Sequence, residues 1–233
     1  MEKTNFIWHK IKQIIGDTDF ISFLESYQPN TLFICGGCIR SLFIDENSTI
    51  KDIDLFVNMP KDDFGNFMNK VKEWGDVDYG QYGSPRLYIK NKCFYIDIVP
   101  FFNFIVSSHP ISSIDDLLAN FDFTANAIAL DVVTKCLNDS QNGIQDIHDK
   151  VLRAVRVDFP EKKVSKDIPL SAVSSFWFRL LHYQNKLNFA LAPETKIWII
   201  NNRFRYVDLA LFRKYFFDPQ IDSGLLNEIL NHE

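Results

Sequence analysis

Apolar positions in this chain fall into short runs whose spacing changes from one run to the next. Phe6, Ile7, Ile11, Ile14 and Ile15 recur at the three-to-four residue interval that lines one face of a helix, so residues 3–28 are expected to form two short helices. Leu32 to Cys35 is a continuous apolar run of strand length that stops at Gly36-Gly37. It predicts a strand over 31–35 and a turn with a helix over 36–44. Ile53 and Leu55 alternate with Asp52 and Asp54, which predicts a strand over 52–58 with both carboxylates on one face. Pro60 and the Lys-Asp-Asp behind it open a helix through Val71 and Trp74. A meander follows, with Gly80, Gly83 and Pro85 at its first turn and Asn91-Lys92 at its second. Its last strand puts Phe94, Ile96 and Ile98 on one face and Tyr95, Asp97 and Val99 on the other.

Around 156–168 the apolar repeat lapses, Pro160 intervenes and charges gather, as in a linker. Beyond Pro169 the spacing is helical over 169–188, 193–201, 206–217 and 221–231. The expected fold class is α+β with a mixed sheet over 1–158, followed by a small helical unit over 167–233.

A chain of 233 residues, 46% hydrophobic and with 22 Phe, can bury a sizeable core. Thirty acidic against 25 basic residues give a net charge of −5, which argues against a broadly basic nucleic-acid surface and leaves room for a local groove. The C-terminal cations, among them Lys162, Lys163, Arg203 and Arg205, are equally well read as solvated helix faces. No apolar run approaches the roughly 18 residues of a membrane span, and the N-terminal stretch has no secretory h-region. A cytoplasmic protein without a membrane partner is expected. Cys35, Cys38, Cys93 and Cys136 make no disulfide framework in a chain of this size. Cys35-Gly-Gly-Cys38 has the form of a metal or redox motif but lacks a second pair or histidines at ligand spacing, and small apolar cysteines flanking a turn are the better account.

Candidate chemistry centres on the pairing of the two glycines with the two aspartates. Glycines let backbone approach a ligand with no Cβ in the way, and the first N–H groups of the following helix point back at whatever sits there. Two carboxylates at i and i+2 of a strand repel unless a cation lies between them, and magnesium with a phosphate is the usual reason. Separately, a Gly-Gly is most often a tight turn and an Asp-x-Asp most often solvated or capping. Together, in this order, they suggest a phosphate cradle facing a metal site.

GGCIRSLFI…KDIDLFV resembles the head domain of the class II nucleotidyltransferases, the bacterial poly(A) polymerases and CCA-adding tRNA nucleotidyltransferases of the polymerase β superfamily. Their signature reads Gly-Gly-x-Val-Arg-Asp, a variable helix, then Lys-Asp-x-Asp-hydrophobic. The resemblance continues from Asp116 to Val155, in DLLANFDFTANAIALDVVTKCLNDSQNGIQDIHDKVLRAV, against Asp-Leu-x-Arg-Arg-Asp-Phe-Thr-x-Asn-Ala in the family. It implies a polymerase β-type head followed by a neck-like helical module, and transfer of an NMP from an NTP to a hydroxyl. The acceptor would be an RNA 3′ end, a protein or a small molecule. Asp52 and Asp54 would bridge Mg²⁺ (or Mn²⁺) ions and Asp97 would complete the metal site. Gly36 and Gly37 would hold the β- and γ-phosphates, and Arg40 would neutralise the triphosphate. Asp122, Thr124 and Asn126 would line the nucleotide sugar, and Arg179 would keep a basic position of the neck helix. Read without the family, Arg40 is a surface arginine, Asp97 a solvent-facing edge residue, and Asp122 to Asn126 an Asx- and Thr-capped turn. His182, where the neck helix usually has a second arginine, reads as a satisfied core histidine.

Departures from the pattern leave a second reading open. Ser41 replaces an acid, Asn120-Phe121 replaces Arg-Arg, and Phe102 stands where an arginine is usual. The family's base-selecting Glu-Asp-x-x-Arg has its nearest match in the stretch from Lys166 to Ser171, with serine in place of arginine. Counterparts of the body and tail domains that grip tRNA in the family are not found before Glu233, and with the acidic balance this leads to the expectation of a non-tRNA acceptor, or of an RNA brought by a partner. The alternative is a catalytically weakened nucleotide-binding or interaction module. An aminoglycoside-type transferase would need an acidic acceptor cleft, for which Asp62, Asp63, Asp115 and Asp116 are available but read more simply as helix N-terminal acids.

Overall fold

The alternating and continuous apolar runs assemble as a seven-stranded mixed sheet. The computed structural model describes residues 2–80, 83–90, 92, 94–104 and 110–232. Two helices, α1 (Glu2–Ile15) and α2 (Thr18–Glu25), lead into β1 (Leu32–Cys35), α3 (Gly37–Ile44), β2 (Asp52–Val57) and α4 (Lys61–Val71). The meander is β3 (Gly75–Tyr79), β4 (Pro85–Ile89) and β5 (Tyr95–Pro100). Then come α5 (Ile114–Leu118), β6 (Ala129–Asp131), β7 (Leu137–Asn138), α6 (Gly143–Asp149) and β8 (Val151–Leu152). The expected turn at Asn91, and Cys93, lie outside the described residues. Spatial order is β3-β4-β5-β2-β1-β6-β7. Strands β2 and β5 are parallel, and the other described neighbours are antiparallel.

The period-two pattern sorts side chains onto the two faces of this sheet. One face sends Leu32, Ile34, Ile53, Leu55, Leu87, Ile96 and Ile98 into the main core, under α1 to α4. The other carries a smaller cluster, with Phe33, Cys35 and Phe56 packed against Phe101, Leu117, Leu118 and Phe121. The aspartates emerge on this second face. The sheet is therefore covered by a helical core below and by this smaller cluster above, beside which the aspartates stand.

Helical spacing beyond Pro169 becomes α7 (Ala172–Leu187), then β9 (Ala190–Leu191), α8 (Pro193–Asn201), α9 (Leu209–Tyr215) and α10 (Ser223–Leu230). Helix α7 starts three residues later than its spacing suggests because Ser171 caps it, accepting from the Ser174 N–H at 3.1 Å. The start of the 206–217 run is a 3-10 turn, Arg203–Asp208, where Arg205 turns inward to Glu161 and to Ser174 Oγ. Residues 156–168 carry no regular element, yet they are fastened: Val164 N–H bonds Leu170 O at 2.9 Å, and the Phe159 ring lies 4.3 Å from that of Phe176. Strands β8 and β9 pair in parallel, joining the C-terminal helices to the sheet-bearing part. Among the described residues no helix is long and apolar enough to cross a membrane.

Candidate active site

Strand β1 ends at Gly36, whose backbone (φ 79°, ψ −138°) is a conformation that side-chain-bearing residues rarely adopt. A Cβ there would lie 3.0 Å from Asp54 Oδ2, so the residue is glycine both for its turn and for the approach of the carboxylate. Helix α3 starts at Gly37, and its first N–H groups have no partner within the helix. The strand and the helix thus aim a set of donors at the space above Asp54.

Asp54 pairs in register with Cys35 of β1 on one side and with Asp97 of β5 on the other. Asp52, two residues before it, lies opposite Tyr95 on the same face and is exposed. Burial, with the Asp52 and Asp97 charges beside it, pushes the Asp54 carboxyl up to about 7. Asp97 is not an edge residue, because β5 lies between β4 and β2. Its two oxygens accept from Arg86 of β4, Nε at 2.7 Å and Nη2 at 2.8 Å. The Arg86 guanidinium also stacks 3.8 Å from the centre of the Tyr95 ring.

Arg40 is buried, with 5% of its surface accessible, and its Nε has no hydrogen-bond partner. The guanidinium lies beside the touching Phe123 and Tyr183 rings, 5.8 and 5.0 Å from their centres, and donates through Nη1 to Asn126 Oδ1. Burial pulls its pKa below the usual arginine value. Asn126 in turn donates to Asp122 Oδ1 at 3.2 Å, and Asp122 Oδ2 accepts from Arg179 Nε and Nη2 at 2.9 and 2.6 Å. Asp122 and Asn126, two of the three residues expected at the sugar, thus join Arg40 and Arg179 in one relay, Arg40–Asn126–Asp122–Arg179, that ties α3 to α7. Thr124, in the same 3-10 turn, donates to the buried Asp146 at 2.6 Å. Gly143 must be glycine here, since a Cβ would fall 2.1 Å from the Thr124 carbonyl oxygen. His182 is buried, accepts the Gln220 N–H through Nδ1 at 3.1 Å, and is lowered to about 4, chiefly by burial.

Gly36, Gly37, Arg40, Asp52, Asp54 and Asp97 line one cleft of about 800 Å³ together with Asp122, Asn126, Arg179 and Tyr183, whereas Thr124 and His182 lie outside its lining. Phe159, Val164, Phe176, Phe216 and Phe217 form an apolar wall toward the C-terminal helices. Asp167 is exposed and outside the cleft lining, and Ser171 spends its hydroxyl on the α7 cap. Asn120 accepts from Arg156 Nη1 at 2.5 Å, and Phe121 belongs to the apolar cluster under the site. Cys35 and Cys38 are buried free thiols, both pushed up chiefly by burial. Arg86 and Tyr183 were not singled out by the sequence. Arg86 joins the site through the register of β4 on β5, where Leu87 pairs with Ile96 and Arg86 with Asp97, and that register is not written in the local sequence.

A divalent cation fits the Asp52–Asp54 pair, which offers hard oxygen donors in a pocket that disfavours the uncompensated Asp54 charge. Asp97 fits less well, since one guanidinium engages both of its oxygens. Among the described residues, no three carboxylate, imidazole or thiol groups converge as a ready-made metal site.

The sheet order, the glycine turn and the facing aspartates define the head fold of the CCA-adding tRNA nucleotidyltransferases. Solved examples superpose at 19% identity and a TM-score of 0.61: a CCA-adding enzyme complexed with ATP, over 84% of this chain and 46% of that one, and the Thermotoga maritima CCA-adding enzyme complexed with tRNA, over 92% and 47%. Curated relatives include multifunctional CCA proteins of Stenotrophomonas maltophilia (37% identical) and Xylella fastidiosa (34%). Each matches over 92 residues, 40% of this chain and 21% or 20% of the relative. The chain thus spans about half of the solved enzymes and matches about a fifth of the curated ones. Over residues 5–150, more than half of its length, it matches the Gabija anti-defense 2 (Gad2) family, and it belongs to that family.

Proposed function

We propose that the chain is a metal-dependent nucleotidyltransferase that moves an NMP from an NTP to a hydroxyl acceptor. The observation that carries this reading is the meeting of Asp52 and Asp54 with the Gly36 turn in one cleft, beside a buried, incompletely bonded Arg40. In such a transfer the acceptor oxygen bonds to the α-phosphorus while the bond to pyrophosphate breaks, so the protein's task is positioning and charge compensation. Asp52 and Asp54 would hold Mg²⁺ or Mn²⁺, which when bound supplies Lewis-acid stabilisation of the phosphate charge. The N–H groups at the start of α3 and Arg40 would receive the phosphate oxygens, and Tyr183 would keep the arginine stacked in place. Membership of a family described as Gabija anti-defense directs the search for the acceptor to the components of that defence, protein or RNA.

Two observations favour the weakened-module reading: Asp97 is held by Arg86, and Asp122 by Arg179. An incorporation assay separates the two. Wild type and Asp52→Ala/Asp54→Ala are incubated with Mg²⁺ or Mn²⁺, each labelled NTP, and RNA and protein acceptors. Label retained with wild type alone supports transfer and identifies the acceptor class. Equal, background labelling by both folded proteins would leave the nucleotide-binding module as the better account.

A further inference from the structure

Arg86, Asp97, Asp54 and Cys35 form a single row across four neighbouring strands, each in register with the next. A row of this kind brings a fixed cation to the edge of the carboxylate cluster. The Arg86 guanidinium stays charged at any physiological pH and engages Asp97 through a two-pronged fork, the strongest geometry such a pair adopts. Its outer surroundings hold it there. The Tyr95 ring stacks on one side at 3.8 Å. Gly80, just past β3, lies beside the pair, where a Cβ would make ordinary contacts, 3.6 Å from Arg86 Nη2 and 3.7 Å from Asp97 Oδ1. The pair is mostly shielded, with side-chain exposures of 25% and 18%.

We propose that Arg86 takes the place of a second divalent cation, so that the site binds one metal ion, between Asp52 and Asp54, with Asp97 reserved for the guanidinium. The inference rests on the nucleotidyltransferase reading and narrows it. Geometry points the same way: a guanidinium that forks across both Asp97 oxygens competes with any ion for that carboxylate and repels a dication placed beside it, which leaves Asp52 and Asp54 as the donors for one ion. The fields of Arg179 and, less strongly, of Arg86 reach the middle of the row, where they offset part of the repulsion on Asp54. The arrangement also accounts for Asp97 standing in the row although, among the described residues, no three acids converge as a metal site.

The test counts metal ions rather than turnover. The full chain is titrated with Mn²⁺ in the presence of a non-hydrolysable NTP analogue and read by electron paramagnetic resonance and equilibrium dialysis, with Asp52→Ala/Asp54→Ala as the background. Wild type is expected to retain a single uncoupled ion, and so is Arg86→Lys, which keeps a cation. Arg86→Gln is expected to retain a pair with the spin-coupled spectrum of neighbouring ions. A coupled pair in wild type would overturn the proposal while leaving the nucleotidyltransferase reading intact, and this outcome needs no variant to fold. A single ion in a folded Arg86→Gln would overturn it as well. No specific ion in wild type would remove both.

Discussion

Arg179 reaches from α7 to Asp122 and donates to one carboxylate oxygen twice, from Nε at 2.9 Å and from Nη2 at 2.6 Å. The pair links the C-terminal helices to the turn that carries Asn126, so each partner has a structural task beside any contact with nucleotide. Arg179→Ala strands a half-buried carboxylate, and a loss of about 1–3 kcal/mol is expected, below the range for fully buried pairs because both groups keep some solvent. Thermal unfolding checks this, at roughly 2–4 °C per kcal/mol for a chain of this size. A raised KM for NTP at unchanged stability would instead mean that Arg179 serves the ligand.

Gly36 and Gly65 should respond to alanine with opposite signs. Gly36→Ala meets a positive φ and Asp54 Oδ2 at 3.0 Å, so a destabilisation of about 1–3 kcal/mol and loss of NMP incorporation are expected. Gly65 lies inside α4 with open space where its Cβ would go, so Gly65→Ala should stabilise by about 0.5–1 kcal/mol. Denaturant melts of the two variants against wild type decide both.

Two buried groups should give the metal-free protein opposing pH dependences. His182, lowered to about 4, binds fewer protons folded than unfolded between pH 4 and 6.5, so its contribution to stability rises with pH across that window. Asp54, raised to about 7, binds more protons folded than unfolded from about pH 4 to 7, so its contribution falls as pH rises. Comparing stability from pH 4 to 8 resolves them. Asp54→Asn should make the slope more positive, and His182→Gln should make it more negative.

Base discrimination should be weak. Phe159, Val164, Phe176, Phe216 and Phe217 make the apolar part of the wall toward the C-terminal helices, beside Ser175, Arg179, Tyr183 and Lys186 of α7, and the stretch nearest to the family's base-selecting motif lends it no hydrogen-bonding side chain. Apolar pockets separate similar ligands by only about 10–200-fold, whereas sites that hydrogen-bond a group reject its absence by far more. Incorporation rates for the four NTPs are therefore expected to lie within about 100-fold, and a strict preference for one would mean that a polar group on another wall reads the base.

Much of this architecture was legible in the chain because its signals were local. The apolar run ending at Gly36 gave β1 and its turn, and alternation in Asp52 to Val57 and Tyr95 to Val99 gave the faces of β2 and β5. What stayed hidden depends on strand neighbours. Arg86 became part of the site only through register with Asp97, across a turn whose length the sequence alone does not fix. Arg40 illustrates a different gap. Charge suggests the surface, but the Phe123 and Tyr183 rings that pack beside it come from positions far along the chain, so its burial could not be seen from its neighbours. The start of α7 moved for a third reason, a capping hydroxyl at Ser171 that periodicity does not register.

The parallel pairing of β8 with β9 has a consequence for how the cleft handles its guests. Ala190 N–H bonds Lys150 O at 2.8 Å, Ala192 N–H bonds Leu152 O at 3.0 Å, and Thr195 Oγ1 accepts from Ala154 N–H at 2.9 Å. With the Arg179 pair, these bonds rivet the aromatic wall to the wall that bears the aspartates. The opening therefore works as a fixed-gauge slot, admitting by dimension what fits between its walls and leaving any adjustment to the smaller side chains and loops at its rim.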